Sequence, residues 1–79
     1  MVEKRAARRY RVLKGAILAF GGSGVACTVR NLSSGGAAIE VADRIRLPTS
    51  FTLLIECDQF MRRCRPVWCN EKRIGVAFD

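Results

Sequence analysis

The chain has 79 residues, 49% of them apolar and 27% charged, with 14 Lys and Arg against 7 Asp and Glu. This length allows one domain with one modest core, and the apolar content is too high for a disordered chain. No apolar run approaches the roughly 20 residues needed to cross a membrane, and the charged N-terminus is unlike a secretory signal. We therefore expect a single cytoplasmic domain that does not insert into a membrane.

The net charge of +7 predicts an anionic partner. Much of this charge is concentrated at the start of the chain, where Glu3 alone opposes a run of basic residues: Lys4, Arg5, Arg8, Arg9, Arg11 and Lys14. Most of these residues are arginines, whose planar guanidinium group suits phosphate oxygens and guanine edges. We interpret residues 1–11 as a basic N-terminal arm and residues 12–79 as the folded domain.

The first half of the folded domain reads as strands separated by glycine-rich turns. A first strand is predicted over residues 12–20, and the three glycines of residues 21–24 predict a turn. Residues 25–30 alternate between apolar and more polar side chains, which is typical of a half-buried strand. Residues 31–35, rich in Asn, Ser and Gly, predict a second turn.

Four more strands are predicted in the second half of the chain, over residues 36–41, 50–56, 61–69 and 73–78. Pro66 indicates that the fifth strand is bulged or lies at an edge. Any helix is limited to a single turn, near residues 42–46 or at the N-terminus. Short strands with turns at regular intervals predict an all-β fold, a small six-stranded antiparallel barrel.

The residue types argue against catalysis and against metal binding. The chain has no histidine to activate a serine or cysteine nucleophile, and its acidic residues show no grouping. We therefore expect no enzyme activity and no cofactor. Four cysteines without a CxxC pair predict neither a zinc site nor disulfides but small buried apolar residues: Cys27, Cys57, Cys64 and Cys69.

Two groups of residues stand out as candidate binding elements. Arg5 and Arg9 are four residues apart in the basic arm, which leads directly into the first strand. Asn31-Leu32-Ser33-Ser34-Gly35-Gly36 occupies the turn between the second and third strands. Asn31 and Ser33 offer hydrogen-bond donors and acceptors, and Gly36 permits a close approach that a side chain would forbid.

In this order the two groups resemble the PilZ domain family, which is recognised by RxxxR followed later by [D/N]xSxxG. Arg5 to Arg9 match the first motif, and Asn31 to Gly36 match the second with asparagine in the first position. The resemblance extends to the last two strands, through Pro66-Val67-Trp68 and the segment 73–78.

The resemblance implies a bacterial receptor that binds cyclic di-GMP on the outside of a barrel. It implies that Arg5 and Arg9 grip guanine edges and phosphates, that Asn31 and Ser33 hydrogen-bond the ligand, and that Gly36 keeps the turn open. Ordering of the arm by the ligand would then present a new surface to an effector protein.

Several alternatives remain open at this stage. Lys4 and Arg8 have the same spacing as Arg5 and Arg9, and Arg8 or Arg11 could supply additional ligand contacts. Trp68 is a candidate for stacking on the ligand, although a place in the barrel core or at a barrel end is the favoured interpretation. The alternative functions are a ligand-independent interaction module and, less favoured, a basic barrel that binds RNA or DNA.

Overall fold

The computed structural model describes residues 10–79, with side chains from residue 12 onwards. Its strands are β1 (Tyr10–Phe20), β2 (Ser23–Leu32), β3 (Gly36–Val41), β4 (Phe51–Ile55), β5 (Phe60–Asn70) and β6 (Arg73–Phe78). They form a closed barrel in the order β1-β2-β3-β6-β5-β4, and every neighbouring pair is antiparallel. The predicted six-stranded antiparallel barrel is confirmed.

The strand ends depend on how tightly the chain turns. The predicted bounds of β3 and β6 agree with the structure, whereas β1, β2 and β5 are longer than predicted. Gly21 and Gly22, with φ of 57° and 77°, make the β1–β2 turn on their own. Ser23 and Gly24 were expected in that turn, but they pair with β1 because glycine at positive φ lets the chain reverse within two residues.

The described chain has one helical segment, a 3-10 turn at Glu56–Asp58 between β4 and β5. The prediction of a helical turn near residues 42–46 is wrong. That part of the chain is an irregular connection in which Ile45 and the following Leu47 pack against the core. No helix within residues 10–79 is long and apolar enough to span a membrane.

The barrel interior is filled by the inward-facing residues of all six strands, with Phe51, Leu18 and Ile39 fully buried. The prediction that the cysteines are buried holds for Cys27 and Cys64 but is wrong for the other two. Cys57 is exposed because it lies in the 3-10 turn outside the barrel wall, and Cys69 is exposed near the end of β5.

Three register shifts interrupt the regular pairing of the barrel. One lies between Arg11 and Lys14 where β1 pairs with β2, and one inserts Arg30 between β2 and β3. The third inserts Val67 between Pro66 and Trp68 where β5 pairs with β6. A bulge of this kind adds one unpaired residue and reverses which face the following side chains occupy. The prediction that Pro66 marks a bulged or an edge strand is confirmed in its first form, since β5 is bulged and pairs on both sides.

Candidate functional site

A groove of about 240 Å³ runs over the outer surface of β3 and β6, and we call it the main groove. Its floor is made of the small residues Gly36 and Ala38 of β3, and of Gly75 of β6, which the indole of Trp68 covers. Asn31 and Ser33 lie on one side of this floor and Trp68 on the other. A floor of small residues with polar groups on one side and an aromatic ring on the other suits a planar, hydrogen-bonding ligand.

Trp68 owes its position to the bulge in β5. It pairs with Gly75 of β6, and its indole ring occupies the space where a side chain of Gly75 would lie. Gly75 is buried beneath the ring, while Trp68 itself remains 47% exposed. The indole therefore presents a partly free aromatic surface to the main groove.

The turn that precedes β3 is held together by Ser33. The backbone N–H of Ser33 donates to the carbonyl oxygen of Gly36 at 2.9 Å, and its hydroxyl lies 3.2 Å from both the oxygen and the nitrogen of Gly36. Next to it, the N–H of Phe78 donates to the carbonyl of Gly35, which ties the turn to the end of β6. The turn is thus fixed at both ends before any ligand arrives.

This bonding limits what Ser33 can offer a ligand. Its hydroxyl donates to the Gly36 carbonyl and accepts from the Gly36 N–H, which uses its one hydrogen and one of its two lone pairs. One acceptor position remains. Asn31, half-buried at the same wall, brings a side-chain amide with two N–H donors and one acceptor oxygen to the main groove.

Gly36 is required by the packing of β3 against β6. A side chain at this position would overlap the carbonyl group of Val76, which belongs to the paired strand. Gly35, one residue earlier, has open space around it. The requirement for glycine at position 36 therefore comes from the approach of two strands, in addition to any approach by a ligand.

The basic residues of β5 are largely engaged with their neighbours. The guanidinium of Arg62 lies 5.0 Å from the ring centre of Phe78, and Arg63 donates to the hydroxyl of Ser50 at 2.7 Å. Arg65 forms a salt bridge with Asp79 at 3.1 Å. The contacts of Arg62 and Arg65 tie β5 to the end of β6, and that of Arg63 ties β5 to the start of β4. Of the three positive charges, that of Arg65 is offset by a carboxylate.

The structure brings Asn31, Ser33 and Gly36 together at the main groove, as the motif spacing predicts. Lys4, Arg5, Arg8 and Arg9 lie outside the described residues. The backbone of Arg11 pairs with that of Asn31, so the basic arm joins the barrel beside the groove.

The favoured prediction for Trp68 was a place in the core or at a barrel end, and of these two the core is wrong, because the side chain is 47% exposed near the end of β5. Strict alternation from the buried Cys64 places Trp68 on the inner face, but the extra residue Val67 moves it to the outer face. Gly75 was not identified from the sequence as a site residue. The available signals were Pro66, which favours a bulge, and the glycine in β6 that pairs with the tryptophan.

The described side chains around the main groove carry no reactive thiol and no metal-holding cluster. The buried thiol of Cys27 has its pKa raised to about 11 by desolvation, so it is neutral at physiological pH, and it lies away from the groove in the core. Within residues 10–79, no three His, Cys, Asp or Glu side chains come together in a way that could hold a metal ion. What the groove offers is a shaped surface, an amide and an aromatic face.

Comparison with known proteins identifies the family of this chain. No curated protein sequence matches the chain significantly. The family model described as PilZ domain matches residues 3–79, which is nearly the whole chain. This family consists of binding modules that generally recognise cyclic di-GMP or interact with effector proteins. The chain belongs to the PilZ domain family.

Proposed function

We propose that this protein is a receptor for cyclic di-GMP that binds one guanine of the ligand in the main groove. The observation that carries the proposal is that Asn31, Ser33 and Trp68 line one groove whose floor consists of small residues. The base lies on this floor, with Asn31 hydrogen-bonding its edge and the indole of Trp68 against its face. Such stacking contributes about 1–3 kcal/mol per base.

The arginines of the arm complete the site in this proposal. Arg9 directly precedes Tyr10, whose backbone pairs with Leu32 at the main groove. Arg5 lies five residues before Tyr10, which leaves it within roughly 18 Å of chain from that point. Both guanidinium groups are therefore close enough by connectivity to reach guanine edges and phosphates, where each bidentate contact is worth about 1–3 kcal/mol.

The signal passes onward through the arm. A basic segment that binds a dianionic ligand loses part of its own charge repulsion, and ordering it uses some of the binding energy. The ordered arm and the adjacent barrel surface then form the contact for an effector protein. No bond is made or broken in this scheme.

The distribution of aromatic side chains favours this function over nucleic-acid binding. Single-strand binders of this size use several aromatic residues on one exposed face. Among residues 12–79, Trp68 is the aromatic residue exposed on the outer surface, while Phe20, Phe51, Phe60 and Phe78 belong to the core or pack against it.

Isothermal titration calorimetry of cyclic di-GMP into the purified protein tests the proposal, with GTP as the ligand control. We expect saturable binding at micromolar or lower concentration for cyclic di-GMP alone, and at least tenfold weaker binding for Arg9→Ala and Asn31→Ala. Arg44→Ala is the matched control, because Arg44 is exposed in the connection between β3 and β4 and lines no described groove near Asn31. Absence of heat with the wild-type protein at high concentration would overturn the receptor function.

A further inference from the structure

A second groove adjoins the main groove and has a different character. It measures about 360 Å³ and is lined by Val12, Leu13, Arg30, Asn31 and Arg73, and we call it the Arg73 groove. Asn31 lines both grooves, so the two meet at this residue. The main groove is smaller than the roughly 300 Å³ at the lower end of pockets for drug-sized ligands. A dinucleotide whose base lies there must extend beyond it.

Two of the barrel's bulges shape the Arg73 groove. Val12 and Leu13 of β1 lie opposite the single residue Arg30 of β2, and Arg30 is also the residue inserted between β2 and β3. Bulges redirect side chains and widen the local spacing of strands. The third bulge, at Val67, borders the main groove. The irregular parts of the barrel are thus gathered around these two adjoining grooves.

The charges of the Arg73 groove leave one guanidinium in excess. Arg30 donates to the carboxylate of Glu40 at 3.0 Å, and this pair is partly exposed. Arg73 pairs with Glu40 across the β3–β6 ladder through the backbone, but its side chain forms no salt bridge with any residue in the range 12–79. Arg30 therefore offsets the negative charge of Glu40, and no carboxylate within residues 12–79 offsets the positive charge of Arg73.

We propose that Arg73 binds a phosphodiester group of the dinucleotide whose base occupies the main groove. This assignment rests on the proposed function and adds to it a phosphate contact that lies outside the two sequence motifs. The apolar floor of the main groove suits the base, whereas the exposed charge of the Arg73 groove suits the anionic backbone. Asn31 lines both grooves, so a base that it hydrogen-bonds in the main groove has its ribose and phosphate directed towards the Arg73 groove.

Calorimetry with cyclic di-GMP on Arg73→Gln, Arg73→Lys and Lys72→Gln tests this assignment at two salt concentrations. Lys72 is the matched control, because it is also exposed and directly precedes Arg73 but lines a separate cavity beside Ala26 and Ala42. We expect the Kd to rise about tenfold in Arg73→Gln, less in Arg73→Lys, and by no more than twofold in Lys72→Gln. Loss of a phosphate contact also makes the Kd of Arg73→Gln less dependent on salt than that of the wild type.

Wild-type binding with an unchanged Kd in Arg73→Gln would overturn the Arg73 assignment and leave the receptor function intact. If Arg73→Gln binds cyclic di-GMP more weakly but its Kd depends on salt as strongly as that of the wild type, the phosphate assignment is overturned. No binding by the wild type would overturn both proposals. Thermal unfolding of each variant distinguishes a lost contact from a lost fold, and Arg73→Lys provides a variant that keeps the charge.

Discussion

At the scale of single residues, Gly36 shows how a binding motif can also be a packing requirement. The motif resemblance assigns Gly36 to keeping the turn open for a ligand, a role that stays a prediction. Independently of any ligand, Gly36 pairs with Ala77 and lies so close to the backbone carbonyl of Val76 that no room is left for a side chain. The obstacle is a backbone carbonyl, which cannot rotate aside as a flexible side chain would. A substitution here must push β3 away from β6.

We therefore predict that Gly36→Ala destabilises the free protein by about 1–3 kcal/mol, the range for overpacked sites. Gly35→Ala is the matched control, because position 35 has open space and is not at positive φ. Its free energy of unfolding should change by less than about 0.5 kcal/mol. Urea denaturation followed by circular dichroism measures both. Equal stability of the two variants would show that Gly36 is not needed for packing.

At the scale of the elements, the bulge in β5 determines what the main groove contains. It turns Trp68 outward and lays the indole on Gly75, so that a glycine in one strand and a tryptophan in the next form one unit. Alanine at position 75 would place a methyl group inside the indole ring. The ring, rather than the backbone, would move, because Trp68 is partly exposed and free to swing outward.

We predict that Gly75→Ala shifts the tryptophan emission to longer wavelength and weakens cyclic di-GMP binding by about tenfold. Trp68 is the single tryptophan of the chain, so the emission reports on this groove alone. Gly15→Ala is the control, since Gly15 also lies in a strand but has open space around it. Identical emission spectra of Gly75→Ala and the wild type would contradict the stacked arrangement.

The same bulges mark the limit of what could be predicted from the sequence. Alternating apolar residues predict the six strands well, since each inward position of β3, β4 and β6 follows a period of two. An alternating pattern cannot predict where one extra residue is inserted into a strand. The sequence therefore predicts the inner face for Trp68, which lies on the outer face, and it predicts no binding role for Arg73. Asn31, Ser33 and Gly36 were identified because they lie within six consecutive residues, whereas Trp68 and Gly75 join them only through strand pairing.

At the scale of the whole molecule, the main groove exists only while the barrel is closed. Asn31 and Ser33 lie in and after β2, and they meet Trp68 and Gly75 only because β3 pairs with β6 and β6 with β5. These contacts join residues that are far apart in the chain. A ligand that binds this groove therefore stabilises the native barrel against opening, by an amount set by its concentration relative to its Kd.

The four cysteines provide a measure of this opening. Cys57 and Cys69 are exposed, whereas Cys27 and Cys64 are buried in the core. Burial raises the pKa of Cys27 to about 11 and also raises the pKa of Cys64, so both remain protonated thiols at pH 8. We predict that two thiols of the native protein react rapidly with a disulfide reagent such as DTNB, and that two react slowly, through opening of the barrel.

The double variant with Cys57→Ser and Cys69→Ser should lose the rapid phase and keep the slow one. When the barrel recloses faster than the reagent reacts, the labelling rate follows the population of the open state. Saturating cyclic di-GMP lowers this population, so the slow phase should slow in proportion to the ligand concentration divided by its Kd. Rapid reaction of all four thiols would contradict a closed barrel. If calorimetry shows that the protein binds cyclic di-GMP but the ligand does not change the rate of the slow phase, then the opening that exposes the buried thiols leaves the groove intact.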